Sequence, residues 1–171
     1  MCNIEPYPIT KSYGLAGAVS AIVDDKLHVC GGGPREGVDS CHALHGSAWH
    51  GTPNLATPRH NAGSSAWQGG WLVTGGADMN TRHPTSELYT GGAWTTGPAL
   101  EEKTFFSREP LMGVEGHCQV TAGGRVIVAG NPNHHIPSLC YAMQGGEPYL
   151  MLCQQGQHSP GMVAPGHSWP A

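Results

Sequence analysis

The chain is predicted to be all-β, an array of repeated four-stranded units. Three observations carry this expectation: a segment of about 44 residues that recurs, paired apolar runs joined by tight turns inside each copy, and no helical spacing anywhere. A fixed period of this length marks a stacked or radial array in which each unit leans on its neighbour, not one conventional core.

The first copy runs from Gly17. Ala18 to Val23 is an apolar stretch, Asp24-Asp25-Lys26 a turn, and Leu27 to Cys30 a second apolar stretch closed by Gly31-Gly32. Cys41 to Leu44 then reads as a third strand, and the fourth begins near Trp49. In the second copy Ser64 to Trp67, a Gln68-Gly69-Gly70 turn and Trp71 to Thr74 precede Gly75-Gly76. Glu87-Leu88-Tyr89 and Trp94 follow. The Gly pair recurs after 44 positions and the Trp after 45. The third copy is eroded: Gln119 to Thr121, an Ala122-Gly123-Gly124 turn, Arg125 to Gly130, then Tyr141 to Met143. Short apolar runs flanking a Gly- or Asp-containing turn are hairpin signals. No stretch keeps apolar residues three and four apart between caps, so no helix is expected.

A Gly pair at a strand end answers either a need for positive φ or a close approach of another backbone. Its recurrence at one place in the repeat favours close approach. Trp49 and Trp94 read as packing residues filling the gap between neighbouring sheets, with Tyr89 beside them; a buried aromatic is worth roughly 3–5 kcal/mol on truncation.

The apolar run before Gly-Gly, the Leu or Tyr ahead of the Trp, the Trp itself and Pro-x-Leu followed by Thr57-Pro58-Arg59 resemble the kelch repeat family. The resemblance covers roughly residues 14 to 165. Copy two has no Arg after its Pro-x-Leu; Lys103 stands close by, followed by an irregular insertion from Phe105 to Glu115. In copy three Asn131 follows Gly130, and Tyr149 stands near the Trp position. The resemblance implies a β-propeller whose repeats are four-stranded blades around a central channel. Units at about 17–59, 60–104 and 116–155 form one array, with 156–171 a tail or part of a further blade, Met162-Val163-Ala164 being its apolar piece.

Rings in this family usually hold about five to seven blades, and this chain has length for three. Open end faces would expose apolar surface that a soluble monomer rarely tolerates. Three arrangements follow as expectations. Two copies close a six-bladed ring, the chain is part of a longer polypeptide, or open faces stack into a filament.

Charged residues are only 12% of the chain and net charge is −4, without a basic stripe, so nucleic acid is not an expected partner. No apolar run reaches the roughly 18–20 residues of a membrane span. The 26 glycines and 14 prolines suit many short strands and turns.

Six cysteines occur: Cys2, Cys30, Cys41, Cys118, Cys140 and Cys153. Cys30 ends the second strand of copy one and Cys41 lies on the neighbouring third strand, so a bridge between them is geometrically reasonable. Cys140 occupies the Cys41 position of copy three, but Ala129 replaces its partner. Cys140 with Cys153, and Cys118 with Cys153, both stay open. Reduced core thiols are the other reading; disulfides would place the protein in a secreted or extracellular setting. Secreted kelch proteins are similar in carrying a Cys just before Gly-Gly and another on the third strand. The opening residues Met1 to Pro6 lack a basic region and an apolar h-region, which leaves a removed signal or a cytoplasmic protein. There is no Asn-x-Ser/Thr sequon to support secretion.

Eleven histidines occur, with His42, His45, His50 and His60 close in sequence and His134-His135 paired in a Pro-flanked loop. A metal site needs three or four convergent ligands. Scattered surface histidines are the simpler reading, so neither metal nor cofactor is expected. No nucleophile elbow, phosphate loop or His-Glu-x-x-His occurs. Asp24-Asp25 and Glu101-Glu102 read as turn and surface groups.

The expected function is a non-enzymatic protein-interaction or structural module. Its binding loops are Pro34 to Asp39, Asp78 to Ser86 and Asn131 to Ser138, which all join strand two to strand three and so lie on one face. Arg35, Arg82, His83, His134 and His135 are the polar groups there. Partners would be another protein or further copies of the chain. The alternative is a propeller-type enzyme: some copper oxidases are built on kelch blades, and resemble this chain only in blade motifs.

Overall fold

The structure is a computed structural model that describes residues 4–8, 15–33, 37–79, 81–98, 116–122, 125–129, 139–144 and 147–152, with side chains as far as Val128. The described residues hold twelve strands and no helix. They form three antiparallel four-stranded sheets, each from consecutive strands in simple order. The first holds β1 (Ala18–Val23), β2 (Lys26–Gly31), β3 (Cys41–His45) and β4 (Ala48–Thr52). The second holds β5 (Gly63–Trp67), β6 (Gly70–Thr74), β7 (Ser86–Thr90) and β8 (Ala93–Thr96). The third holds β9 (Cys118–Ala122), β10 (Arg125–Ala129), β11 (Leu139–Gln144) and β12 (Glu147–Leu152).

The hairpins follow from turn chemistry. Asp24 and Asp25 both adopt positive φ, as do Gln68 with Gly69 and Gly91 with Gly92. Two left-handed residues make the turn whose twist matches the flanking strands, and Asp and Gly tolerate it best.

The sheets pack face to face like propeller blades, with β5 lying between β1 and β9. On β1, Val19 is buried and Ala21 and Val23 half-buried, while Ser20 and Ile22 point outward and are exposed. The inward rung Val19–Cys30–Cys41 joins Leu55 and meets Trp71, Val73 and Tyr89 of the second sheet in one apolar cluster. The next inward rung brings His28 over Trp71 and Tyr89, with centroids 6.3 and 5.6 Å apart. The second gap is more polar. Thr74 bonds His117 and Gln119, and Gln119 and Thr121 bond Ser65 at 2.8 and 2.9 Å.

Both glycine readings hold together. Gly32 and Gly76 each have φ of +82°. A Cβ at Gly32 would lie 2.8 Å from Ala18 N, and one at Gly76 2.8 Å from His60 O.

Of the two motif Trp residues, Trp94 packs in the gap between the first two sheets as expected, and Trp49 does not. The ring closing the first gap is Trp71, 1% exposed; Trp94 packs against it from the rim, with centroids 5.3 Å apart. Trp49 lies on the outward face of the first sheet against Tyr7, and its indole N–H donates to Glu5 O at 3.2 Å. The motif Trp sits on the fourth strand, the outermost of its sheet, so it closes the rim of a gap while a second-strand residue fills the middle.

Candidate binding face and the clamp beneath it

The connector between the first two sheets assembles the loop face. Residues 53–60 leave β4 and cross to β5, and on the way Arg59 pairs with Val38 and His60 pairs with Ala77. Val38 lies in the strand-two-to-strand-three loop of the first sheet, and Ala77 in that of the second. Ala77 in turn pairs with Arg82. The described parts of both loops, 37–40, 77–79 and 81–85, are thus held side by side.

Beneath them the connector is clamped. The Arg59 guanidinium is wholly buried; Nη1 donates to Gly75 O at 2.6 Å and to Thr85 O at 3.2 Å, and Nη2 donates to Glu87 Oε1 at 2.7 Å. Glu87 also accepts from the backbone N–H of Ala56 at 2.6 Å and of Thr57 at 3.2 Å. Burial pulls the Arg59 guanidinium below its ordinary value, and the Glu87 charge pulls it back up. An Arg so paired stays cationic at neutral pH. Two desolvated charges persist because nearly every donor and acceptor finds a partner.

Each loop candidate has its place. Asp78 turns the second loop, accepting from Thr81 N at 2.8 Å through Oδ1 and donating its own N–H to Thr81 O at 3.0 Å. Met79 at that turn is 59% exposed, and Arg82, three residues on, is half-buried. His83 is turned inward: it is buried, its N–H donates to Gly76 O at 2.8 Å, and Nε2 lies 3.7 Å from Asp78 Oδ2. Burial first, and then the Arg59 charge, hold His83 below its ordinary pKa, so the ring is neutral at pH 7. His83 therefore supports the loop instead of presenting charge on it. Arg35, His134 and His135 lie outside the described residues.

Cys30 and Cys41 form a disulfide across β2 and β3. Cys118 is a free, exposed thiol, and Cys153, the partner considered for it, lies outside the described residues. The register neighbour of Cys118 is Ala129, whose own partner on β11 is Cys140. A strand therefore separates the two cysteines by about 9–10 Å, too far for a bond. Cys2, Cys153 and the Cys140 side chain lie outside the description. Among the described residues no three His, Cys, Asp or Glu side chains converge on a point, and no helix is long and apolar enough to cross a membrane.

Sequence reasoning missed Glu87 and the clamp. Thr57-Pro58-Arg59 registered only as the end of a motif, and the one carboxylate on β7 was the signal that could have found the partner.

No family model and no curated protein matches the chain. Among solved structures it is similar to one described as "Structure of YjhT", with a TM-score of 0.61 and 13% identity over 83% of this chain. The match spans 47% of that structure's chain, about half its length. At this identity the likeness concerns the fold alone.

Proposed function

We propose that the protein is a non-enzymatic interaction module of kelch-type blades, working in an oxidising, extracellular setting and joining a protein partner or further copies of itself. One observation carries the reading. Two neighbouring loops are held by one connector that a buried ion pair fastens to β7, and an exposed apolar side chain, Met79, stands at the turn of one of them. A rigid base under an accessible Met suits protein recognition, because little ordering cost remains to be met on binding. Met and Arg are also enriched where proteins meet. The Cys30–Cys41 bridge supports the extracellular part, since such bonds persist in oxidising compartments.

The test uses immobilised full-length chain and extracellular medium from its source. Wild type should retain a protein that Met79→Asp and Arg82→Ala release, with both variants keeping the wild-type circular dichroism spectrum. Equal retention by all three, or none by wild type, would overturn the reading.

A further inference from the structure

The first and second sheets carry matching ladders of residues on corresponding faces. On the outward face of the first sheet one rung reads Ile22–Leu27–Leu44–Trp49. The corresponding rung of the second sheet reads Ala66–Trp71–Tyr89–Trp94. The next rungs, Ser20–Val29–His42–Gly51 and Ser64–Val73–Glu87–Thr96, correspond in the same way. In the second sheet the first sheet covers this face, and Trp71, Val73 and Tyr89 are buried. In the first sheet Leu27, Val29 and Leu44 stay half-open and Ile22 is 69% exposed.

The open face is already dressed as if a sheet preceded it. Trp94 donates its indole N–H to Pro53 O at 2.9 Å, and Leu55, two residues on, is buried. Trp49 donates to Glu5 O at 3.2 Å, and Tyr7, two residues on, packs on Trp49 and His42 with centroids 4.8 and 5.1 Å apart. Residues 5–7 thus do for the first sheet what the connector 53–55 does for the second.

We propose that a second copy of this chain covers that face with its third sheet. The surface that covers the template face is a sheet front bearing the rung Val19–Cys30–Cys41. In the third sheet Cys118 and the pair Val120–Ile127 hold the matching register positions. Gln119 and Thr121 on its other face are bound to the second sheet, while Cys118 is exposed and Val120 is 54% exposed. The fronts of the first two sheets are covered by the sheet that follows each, whereas Cys118 and Val120 on this one are open. Two head-to-tail junctions close the pair into one ring, so neither end stays open. The inference rests on reading the sheets as blades of an open array.

Sedimentation of the full chain is the test. Wild type should run at twice 17.9 kDa, and Ile22→Glu and Val120→Glu should each run at 17.9 kDa. Both side chains are exposed in one chain, so both variants should fold. An equimolar mixture of the two keeps one intact junction and should restore a two-chain species. A maleimide of large mass should label Cys118 at least tenfold faster in Val120→Glu than in wild type. Wild type at 17.9 kDa at every concentration, particles beyond two chains, or a mixture that stays monomeric would each overturn the proposal. A monomer whose Met79-dependent capture persists would sink the second copy and leave the interaction module standing.

Discussion

The Arg59 guanidinium lies 2.7 Å from the Glu87 carboxylate, with side-chain exposures of 0% and 6%. Through it the connector of one sheet is fastened to the third strand of the next, and the backbone of Ala56 and Thr57 is tied to the same carboxylate. The pair therefore sets how two blade-like sheets and their loops stand together.

Removing either partner strands the other as a buried charge, which typically costs about 3–5 kcal/mol. Arg59→Ala and Glu87→Ala should each lower the free energy of unfolding by that order. The double variant should lose far less than the combined single effects, because the two act as one unit. Urea denaturation of the three variants checks this; strict additivity would show that the residues act separately.

Glycine positions separate two costs that usually travel together. Gly76 and Gly92 have nearly equal φ, +82° and +83°, but a Cβ at Gly92 meets nothing within 4 Å while one at Gly76 meets His60 O at 2.8 Å and Ala62 Cβ at 2.9 Å. Gly92→Ala should cost only the left-handed penalty, about 1–2 kcal/mol. Gly76→Ala should cost that and the displacement of the His60 backbone, where the connector meets the second loop. Equal chemical stability of the two variants would remove the close-approach argument.

What the sequence makes legible is what repeats. The hairpins, the Gly pairs and the Cys30–Cys41 neighbourhood all follow from apolar runs at a fixed period, because each sheet solves the same packing problem. What departs from the period stays hidden. Glu5 and Tyr7 stand where Pro53 and Leu55 do, but share no residue type with them, so only the carbonyl and the packing reveal the equivalence. Thr74 and Ser86 take the places of the bridged cysteines in the second sheet, and turn an apolar gap into one of hydrogen bonds. His83 reads as a loop residue, and it is its burial that shows it to be a support.

His117 makes stability depend on acid. The Thr74 hydroxyl donates to Gln119 Oε1, so it accepts from His117 Nε2–H at 2.9 Å. Nδ1 is then the atom to be protonated, and it is buried with no hydrogen-bond partner among the described residues. Burial lowers the His117 pKa from 6.5 to about 4. Below pH 6.5 the unfolded chain takes up a proton that the folded chain refuses until about pH 4, so stability is full above 6.5 and falls between those values. The loss from this group approaches about 3 kcal/mol. His28, His42 and His83, whose pKa values burial also lowers, add in the same direction. Denaturation at pH 7 and pH 4.5 should show the decline, and His117→Gln should flatten part of it. An unchanged slope in that variant would assign the effect to the other histidines.

The disulfide closes a short loop, with a sequence separation of 11 between Cys30 and Cys41. In the chain-entropy picture a loop of this length is worth roughly 2–3 kcal/mol, by restricting the unfolded chain. The bond also lies in the apolar cluster with Val19 and Trp71, so its sulfurs pack the gap whether or not they are joined. Reduction should therefore lower the unfolding midpoint and leave the folded spectrum unchanged, whereas Cys41→Asp, which sets a charge among Val19, Leu55 and Trp71, should prevent folding. Non-reducing peptide mapping should find Cys30 joined to Cys41. A reduced chain with an unchanged midpoint would mean that residues 31–40 are already confined before folding, leaving the bridge no freedom to remove.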